Sequence, residues 1–387
     1  MIKKTIYIFL ILIYIASLSL SFAAEETIVI QDVLDSQKES LNINAFLSEA
    51  KKYSGELLED TSIGDLLNAA IKGNVDNSTL FKKAIGLLGK ETRGALTLMG
   101  SILVIIVIHS ILKTVSENLE NESAAKITYY VQYVLIVTLI MTNFSDIIRM
   151  TTDSIQNMVG FMHTLVPLLM GLMIATGSIA SSGMIQPIII FLITFIGNIL
   201  ETIILPLVLT ATVLGIISKI SDKVQIDKLS KFFKTSVVWG LGVILTLFVG
   251  VVSLEGTLSS TVDGITAKTT KAAVSSFIPV VGKILGDAVD TVIGCAAVLK
   301  NAVGIVGVLI IIGICAMPII KLAILTVTYH LTAAVCQPIA DDKIVSLLGQ
   351  MGDTFKVLLA ILCSISVMLM IGVTLVVKIS NSGLMYR

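Results

Sequence analysis

Residues 185–220 read IQPIIIFLITFIGNILETIILPLVLTATVLGIISKI and form a very long apolar stretch, interrupted by Asn198, Glu201 and Pro206. One helix of that length would overshoot the ~30 Å hydrocarbon core of a bilayer. The stretch therefore predicts two helices that meet in a hairpin near Glu201. Five crossings, counted from an Arg93 outside the cell, place the basic loop that follows in the cytoplasm, as the positive-inside rule expects. The lysines of that loop are Lys219, Lys223, Lys228, Lys231 and Lys234.

The composition points to the same class of protein. Of 387 residues, 55% are hydrophobic and 14% are charged, and the mean hydropathy is +0.96. So little charge cannot cover a soluble domain of this size, so lipid must replace water around much of the chain. The net charge is zero, which argues against a nucleic-acid partner. The sequence thus predicts an all-α, polytopic transmembrane helix bundle with about eight to ten spans. Besides the stretch above, the candidate spans are 95–115, 127–148, 158–179, 237–254, 303–319, 322–340 and 357–377.

The amino terminus has the three parts of a secretory signal. Lys3 and Lys4 precede an apolar run over 6–20, and small residues follow at 21–24. Residues 1–23 are therefore interpreted as a signal peptide, with an uncleaved anchor helix as the alternative. Residues 24–93 are acidic and are expected to be exported as short amphipathic helices, one of them capped within 60–62. Their apolar faces are too few for a large independent core, so they are expected to pack on a partner or on the membrane bundle.

Two charged segments of the bundle are candidate functional elements. The basic residues Lys223, Lys228, Lys231 and Lys234 alternate with apolar ones, which predicts an amphipathic helix on the inner membrane surface. Further on, Lys283, Asp287 and Asp290 recur at near-helical spacing within 272–299. That segment is interpreted as a span lining a water-filled interior, a re-entrant helix or a surface helix. The polar stripe of these three residues is a candidate lining of a transport path or a subunit contact.

Prolines suggest an internal duplication. Pro167 and Pro206 have the same separation as Pro279 and Pro318, and each second proline precedes an Asp-Lys pair. Pro167, Pro206, Pro279 and Pro318 are interpreted as helix-breaking positions. The duplicated units are predicted at 127–236 and 237–356, after a first span and loop at 94–126 and before a last span and tail at 357–387. Chance similarity between apolar segments is the alternative. Duplication is common in transporters, whose sites lie at the repeat interface, so a stand-alone transporter is one candidate function.

Catalytic chemistry has no sequence support. The chain shows no phosphate-binding glycine loop, no metal-ligand cluster and no nucleophile–base pairing. We expect neither an enzymatic activity nor a cofactor. Any energy for transport would have to come from another protein.

Several adjacent blocks carry a family resemblance. They read ISDK at 220–223, LSKFFK at 229–234, WGLG at 239–242, LTLFVG at 245–250, FIPVVGK at 277–283 and DTVIGC at 290–295. With the order of signal peptide, acidic segment and bundle, they resemble the stage III sporulation protein AE family of endospore-forming Firmicutes. The resemblance implies a multi-pass protein of the mother-cell membrane around the forespore. There the resemblance implies a subunit of a channel complex that is needed for late forespore gene expression. The implied partners are the other membrane proteins of that complex, and a secretion-type ATPase is a candidate among them.

Overall fold

A computed structural model describes the backbone of residues 29–74, 77–117, 122–220, 226–277 and 282–384. Within these ranges every regular element is a helix, which confirms the all-α prediction. The predicted signal peptide, 1–23, lies outside the described residues, as do Lys223 and Pro279. The helices are α1 (Val29–Ser40), α2 (Ile43–Lys52), α3 (Gly55–Leu58), α4 (Ile63–Ile71), α5 (Asn77–Glu117), α6 (Glu122–Ala175), α7 (Ile179–Ile199), α8 (Leu205–Ile220), α9 (Asp227–Phe277), α10 (Gly282–Cys336) and α11 (Asp342–Leu384).

By length and composition, six helical segments of the described chain can cross a membrane. This is fewer than the eight to ten spans predicted, because pairs of predicted spans belong to single helices. Predicted spans 127–148 and 158–179 merge in α6, and 303–319 merges with 322–340 in α10. The six segments are Phe81–Ile108, Tyr133–Ala175, Ile179–Lys219, Asp227–Gly256, Asp290–Cys336 and Asp342–Ile379.

The predicted hairpin at Glu201 is wrong. Helices α7 and α8 are joined by a π-helical turn, Leu200–Ile204, in which the Leu205 N–H donates to the Leu200 carbonyl. Pro206 explains this geometry, because it has no N–H for the carbonyl four residues earlier, and a π-turn rearranges the hydrogen bonds around such a gap. The chain therefore continues in one direction through Glu201. Its length exceeds a bilayer, and part of its apolar surface is covered by protein instead of lipid.

The prolines do not break helices where the structure describes them. Pro167 lies inside α6, Pro318 lies inside α10, and Pro206 is the second residue of α8. In long apolar helices an interruption would leave further backbone groups unpaired away from water, so the helix continues past the proline. The predicted unit borders at 236 and 356 fall inside α9 and α11. The internal duplication stays a prediction.

Side-chain contacts define how the long helices run. Helix α6 is parallel to α11, because Phe144 meets Phe355 (ring centroids 6.3 Å apart) and Met158 meets Ser366 (Sδ–Oγ 3.4 Å) further along both. Helices α7 and α8 run antiparallel to α6. The pairs that show this are His163 with Thr194, Gln156 with Glu201, and Tyr133 with Ile216.

The short amino-terminal helices pack on this bundle, as one of the two sequence alternatives predicted. Phe46 and Tyr53 place their rings 6.3 Å and 6.1 Å from that of Phe161 in α6. Ser62 caps α4 by accepting a hydrogen bond from the Asp65 N–H, which confirms the predicted cap. The apolar faces of these helices belong to the same hydrophobic core as the long helices; the buried members are Leu34, Ile43, Phe46, Ala50, Leu58, Ile63, Leu66, Leu67 and Ala70.

Two glycines bring α3 and α10 into backbone contact. Gly55 has a φ of 64°, and a Cβ there would collide with the Gly313 carbonyl oxygen. A Cβ on Gly313 would in turn lie 2.6 Å from the Ser54 carbonyl oxygen. Only glycine satisfies both the left-handed backbone at position 55 and this close approach. The pair fixes the amino-terminal helices halfway along α10.

The predicted amphipathic surface helix is not a separate element. Lys228, Lys231 and Lys234 belong to the first turns of the long helix α9. Lys231 Nζ lies 2.8 Å from an Asp227 carboxylate oxygen, and Lys234 donates to the Gln350 carbonyl oxygen at 3.2 Å. The alternation of lysine and apolar residues does not separate a packed face from an exposed one, because Leu229 and Phe232 are exposed and Lys234 packs on α11.

Candidate functional site: a polar seam on the bundle

The predicted polar stripe lies at the start of α10. Asp290 is exposed and begins the candidate span Asp290–Cys336. The backbones of Lys283 and Asp287 belong to α10, but their side chains lie outside the described residues. Close by, Gln37 of α1 donates to the Val292 carbonyl oxygen at 2.9 Å. Asp290, the described member of the stripe, is therefore near the docked amino-terminal helices, and the lining role of the stripe stays a prediction.

A second group of polar residues, absent from the predicted sites, lies on the outside of α6. Asp146, Arg149, Asp153, Gln156 and His163 are all exposed. At 3.6 residues per turn they fall within an arc of about 100° on one helix face. From Asp146 to His163 the face extends about 26 Å at 1.5 Å per residue, close to the thickness of a hydrocarbon core.

Helix α7 and the π-turn extend this face sideways. Gln156 Nε2 donates to Glu201 Oε2 at 3.1 Å, and His163 Nε2 lies 3.2 Å from Thr194 Oγ1. Thr202 donates to Asn198 Oδ1 at 3.0 Å. We call this surface the polar seam; its members are Asp146, Arg149, Asp153, Gln156 and His163 of α6, Thr194 and Asn198 of α7, and Glu201 of the π-turn.

An open groove lies on the α7 side of the polar seam, beside Thr194, Asn198 and Glu201. It has a volume of about 450 Å³ and is lined by Val159, Phe191, Thr194, Phe195, Gly197, Asn198 and Glu201. Phe191 and Phe195 stack at 5.6 Å between ring centroids, and both are at least half exposed. Aromatic side chains and polar groups therefore share one surface.

The charged residues that α6 contributes to the polar seam have no ion-pair partner among the described residues. At the start of α9, Asp227 accepts from Lys231 and lies 3.6 Å from Lys219. In the described part of the chain, by contrast, no ion pair or side-chain hydrogen bond reaches Asp146, Arg149 or Asp153. Among the α6 side chains that the structure describes, these three are exposed charges without a partner.

Other polar groups are less suited to a site. Lys300 is completely buried in α10, within the core between the long helices. Three of the four cysteines, Cys295, Cys315 and Cys336, are buried, as their apolar sequence context suggests. Among the described residues no group of three His, Cys, Asp or Glu side chains could hold a metal ion.

The sequence analysis misses the polar seam because its predicted spans end at 148 and resume at 158, which leaves residues 149–157 outside any span. The signal was present as the recurrence of Asp146, Arg149 and Asp153 at spacings of three and four. Glu201 was selected, but as the tip of a hairpin. In the structure it is a side-chain partner of Gln156 across two adjacent helices.

The fold and its apolar helices define a multi-pass helical membrane protein. Comparison with known proteins gives the family. The family model described as "Stage III sporulation protein AE (spore_III_AE)" matches residues 61–380. The chain is also 30% identical over 351 residues to "Stage III sporulation protein AE" of Bacillus subtilis (strain 168), covering 90% of this chain and 88% of that protein. The chain belongs to the stage III sporulation protein AE family; no solved structure matches it.

Proposed function

We propose that the chain is a membrane subunit of the channel complex that connects mother cell and forespore after engulfment and supports late forespore gene expression. The family match carries this proposal, because residues 61–380 include all six candidate membrane spans. The likeness thus extends over the whole bundle instead of one shared segment.

The charge distribution supports an orientation with α1–α4 outside the cytoplasm. Three candidate spans, in α5, α6 and α7–α8, precede the basic start of α9. An odd number of crossings puts that basic end on the side opposite the amino-terminal helices. If those helices are exported, the lysines face the cytoplasm, in agreement with the positive-inside rule. The five crossings predicted from sequence have the same parity, so the orientation does not depend on the incorrect hairpin.

The exported helices would offer a water-facing surface to partner proteins. Their outer face exposes the acids Asp35, Glu39, Glu56, Asp60 and Asp65, while their apolar face is docked on α6 and α10. Such a surface suits the space between two membranes. Other membrane proteins of the sporulation complex are the proposed partners there, and a secretion-type ATPase is a proposed partner at the cytoplasmic end.

The decisive test is an in-frame deletion of the gene in its spore-forming host, complemented by the intact chain. We expect normal vegetative growth, completed engulfment and loss of late forespore gene expression, all restored by the intact chain. A deletion strain with a nutrient phenotype during vegetative growth and normal sporulation would contradict the proposal. That result, together with solute uptake by vesicles containing this chain alone, would favour the stand-alone transporter.

The polar stripe of Lys283, Asp287 and Asp290 is proposed to line a path or subunit contact of the same complex. Triple replacement by Ala is expected to block sporulation while the chain still accumulates in the membrane. Full sporulation of the triple variant would remove the stripe from the proposal.

A further inference from the structure

The depth of the polar seam within the bundle follows from contacts shared through α11. Helix α11 between Phe355 and Ser366 lies beside α6 between Phe144 and Met158. The polar seam from Asp146 to Gln156 falls inside that interval of α6. It therefore lies at the level of the middle of α11 and not at either end of the bundle.

The same level of the bundle is apolar on the α9 side. Helix α9 contacts α11 at two points, Lys234 with Gln350 and Phe248 with Gly372. On α11 these two contacts lie on either side of the interval from 355 to 366. Between those points α9 exposes Trp239 at 74%, Val243 at 52% and Leu247 at 60%. Such a face needs lipid or apolar protein around it. At one depth, then, the bundle is apolar on one side and charged on another.

Charged side chains at membrane depth face a protein partner or a water-filled cavity instead of lipid. The polar seam satisfies the conditions for a protein interface. It carries both signs of charge, and the exposed aromatic pair Phe191 and Phe195 borders it on α7. Aromatic side chains are enriched in protein interfaces, where they lie beside polar groups that form hydrogen bonds or ion pairs with the partner.

We propose that the polar seam faces the polar seam of a second copy of this chain, and that the two enclose a polar, water-accessible interior. Copies inserted with the same topology are related by rotation about an axis normal to the membrane, so equivalent residues share one depth. Arg149 lies about 4.5 Å above Asp146 and about 6 Å below Asp153 along the helix axis. An arginine side chain is long enough for either axial offset, so Arg149 of each copy has an aspartate of the other copy within its reach along the axis. This stretch of α6 carries both signs of charge and can pair with itself, which favours a second copy, while the excess carboxylates, with Glu201, face the proposed water-accessible interior.

This inference goes beyond the proposed function, and its test needs no sporulating cell. The full chain, with Cys295, Cys315, Cys336 and Cys363 replaced by Ala, is purified and reconstituted in liposomes. Single cysteines are then introduced as Ser145→Cys and Asn157→Cys, which flank the charges without removing them. Trp239→Cys and Val243→Cys on α9 are the controls at matched depth.

Each variant is treated with a membrane-impermeant maleimide and, separately, with a short bis-maleimide cross-linker. We expect the positions beside the polar seam to be labelled and to give a covalent dimer of twice the chain mass, and the α9 positions to give neither. Labelling without dimer at both Ser145→Cys and Asn157→Cys would overturn the second copy. Dimer without labelling would overturn the water-accessible interior.

Charge reversal tests the pairing itself. In the Asn157→Cys background, Arg149→Asp is expected to reduce the dimer by about tenfold or more, because like charges facing each other oppose association. Adding Asp153→Arg to Arg149→Asp exchanges the signs and is expected to restore the dimer. Unchanged cross-linking in R149D would overturn the pairing. Loss of the dimer in both R149D and the exchanged variant, with the circular dichroism of the membrane helices retained, would overturn it as well.

Discussion

Replacing Gly55 by Ala should release the amino-terminal helices from the bundle. The substitution has two costs, both visible in the structure. Ala at a φ of 64° is in the left-handed region, which costs about 1–2 kcal/mol. Its Cβ also collides with the Gly313 carbonyl oxygen, and overpacking of this kind costs about 1–3 kcal/mol. The obstructing atom belongs to the backbone of a long helix and cannot rotate away. The two effects together weaken the docking of α1–α4 by about 2–5 kcal/mol.

Limited proteolysis of the full chain in detergent measures this loss. Lys51 and Lys52 are exposed trypsin sites at the end of α2, and cleavage there requires local unfolding. When opening is fast relative to cleavage, the rate follows the population of the open form. A loss of about 2 kcal/mol raises that population about 30-fold, at 1.4 kcal/mol for each factor of ten.

Two further glycine variants separate the causes. Gly313→Ala places a Cβ 2.6 Å from the Ser54 carbonyl oxygen without any left-handed strain, and should also accelerate cleavage. Gly294→Ala lies in the same helix with no atom within 4 Å of the added Cβ, and should leave the rate unchanged. If Gly55→Ala and Gly313→Ala are cleaved as slowly as Gly294→Ala, the backbone contact between α3 and α10 does not hold the segment, and the reasoning fails.

Three other substitutions test separate parts of the fold. Ser62→Ala removes the cap of α4 and should cost about 1 kcal/mol, seen as faster hydrogen exchange confined to α4; exchange equal to wild type would exclude the cap. Phe161→Ala removes the ring that meets Phe46 and Tyr53 and should reduce the stability of the fold by about 3–5 kcal/mol. We expect trypsin to cleave α2 faster in this variant. Phe232→Ala, which removes an exposed ring, is the control and should leave the cleavage rate unchanged. Thr354→Val removes a buried bond between Thr354 and Thr212 (Oγ1–Oγ1 3.3 Å) and should lower thermal stability by only about 0.6 kcal/mol, so a loss above about 2 kcal/mol would contradict a simple interhelical hydrogen bond.

The features predicted correctly from sequence are those fixed by local chemistry. Ser62 lies where a short polar side chain can accept from an N–H three residues on, and the structure confirms it. The buried positions Ile63, Leu66, Leu67 and Ala70 follow the spacing of a helix face. Such signals depend on neighbours within one or two turns, so the sequence alone contains them.

The span count and the hairpin failed for a different reason. Hydropathy reports that a residue avoids water, but it does not distinguish burial in lipid from burial in protein. Much of α10 is apolar because α1, α3, α4, α5, α6 and α11 cover it, and its apolar part is therefore longer than a bilayer requires. For the same reason residues 149–157 fall between two predicted spans. Hydropathy alone does not show that polar residues lie on one exposed face of a long helix, because that depends on where the neighbouring helices pack.

The contact between Ser54–Gly55 and Gly313 has a consequence for synthesis. Gln37 and Val292, bonded in the same interface, are 255 positions apart in the chain. At translation rates of roughly 5–20 residues per second, α10 emerges roughly 13–50 s after α1. During that interval Phe46 and Tyr53 can meet Phe161 of α6, but the surfaces of α1, α3 and α4 that pack on α10 have no partner yet. A ribosome that stops before α10 therefore leaves a chain whose first helices can dock only on α6, without the backbone contact between Gly55 and Gly313.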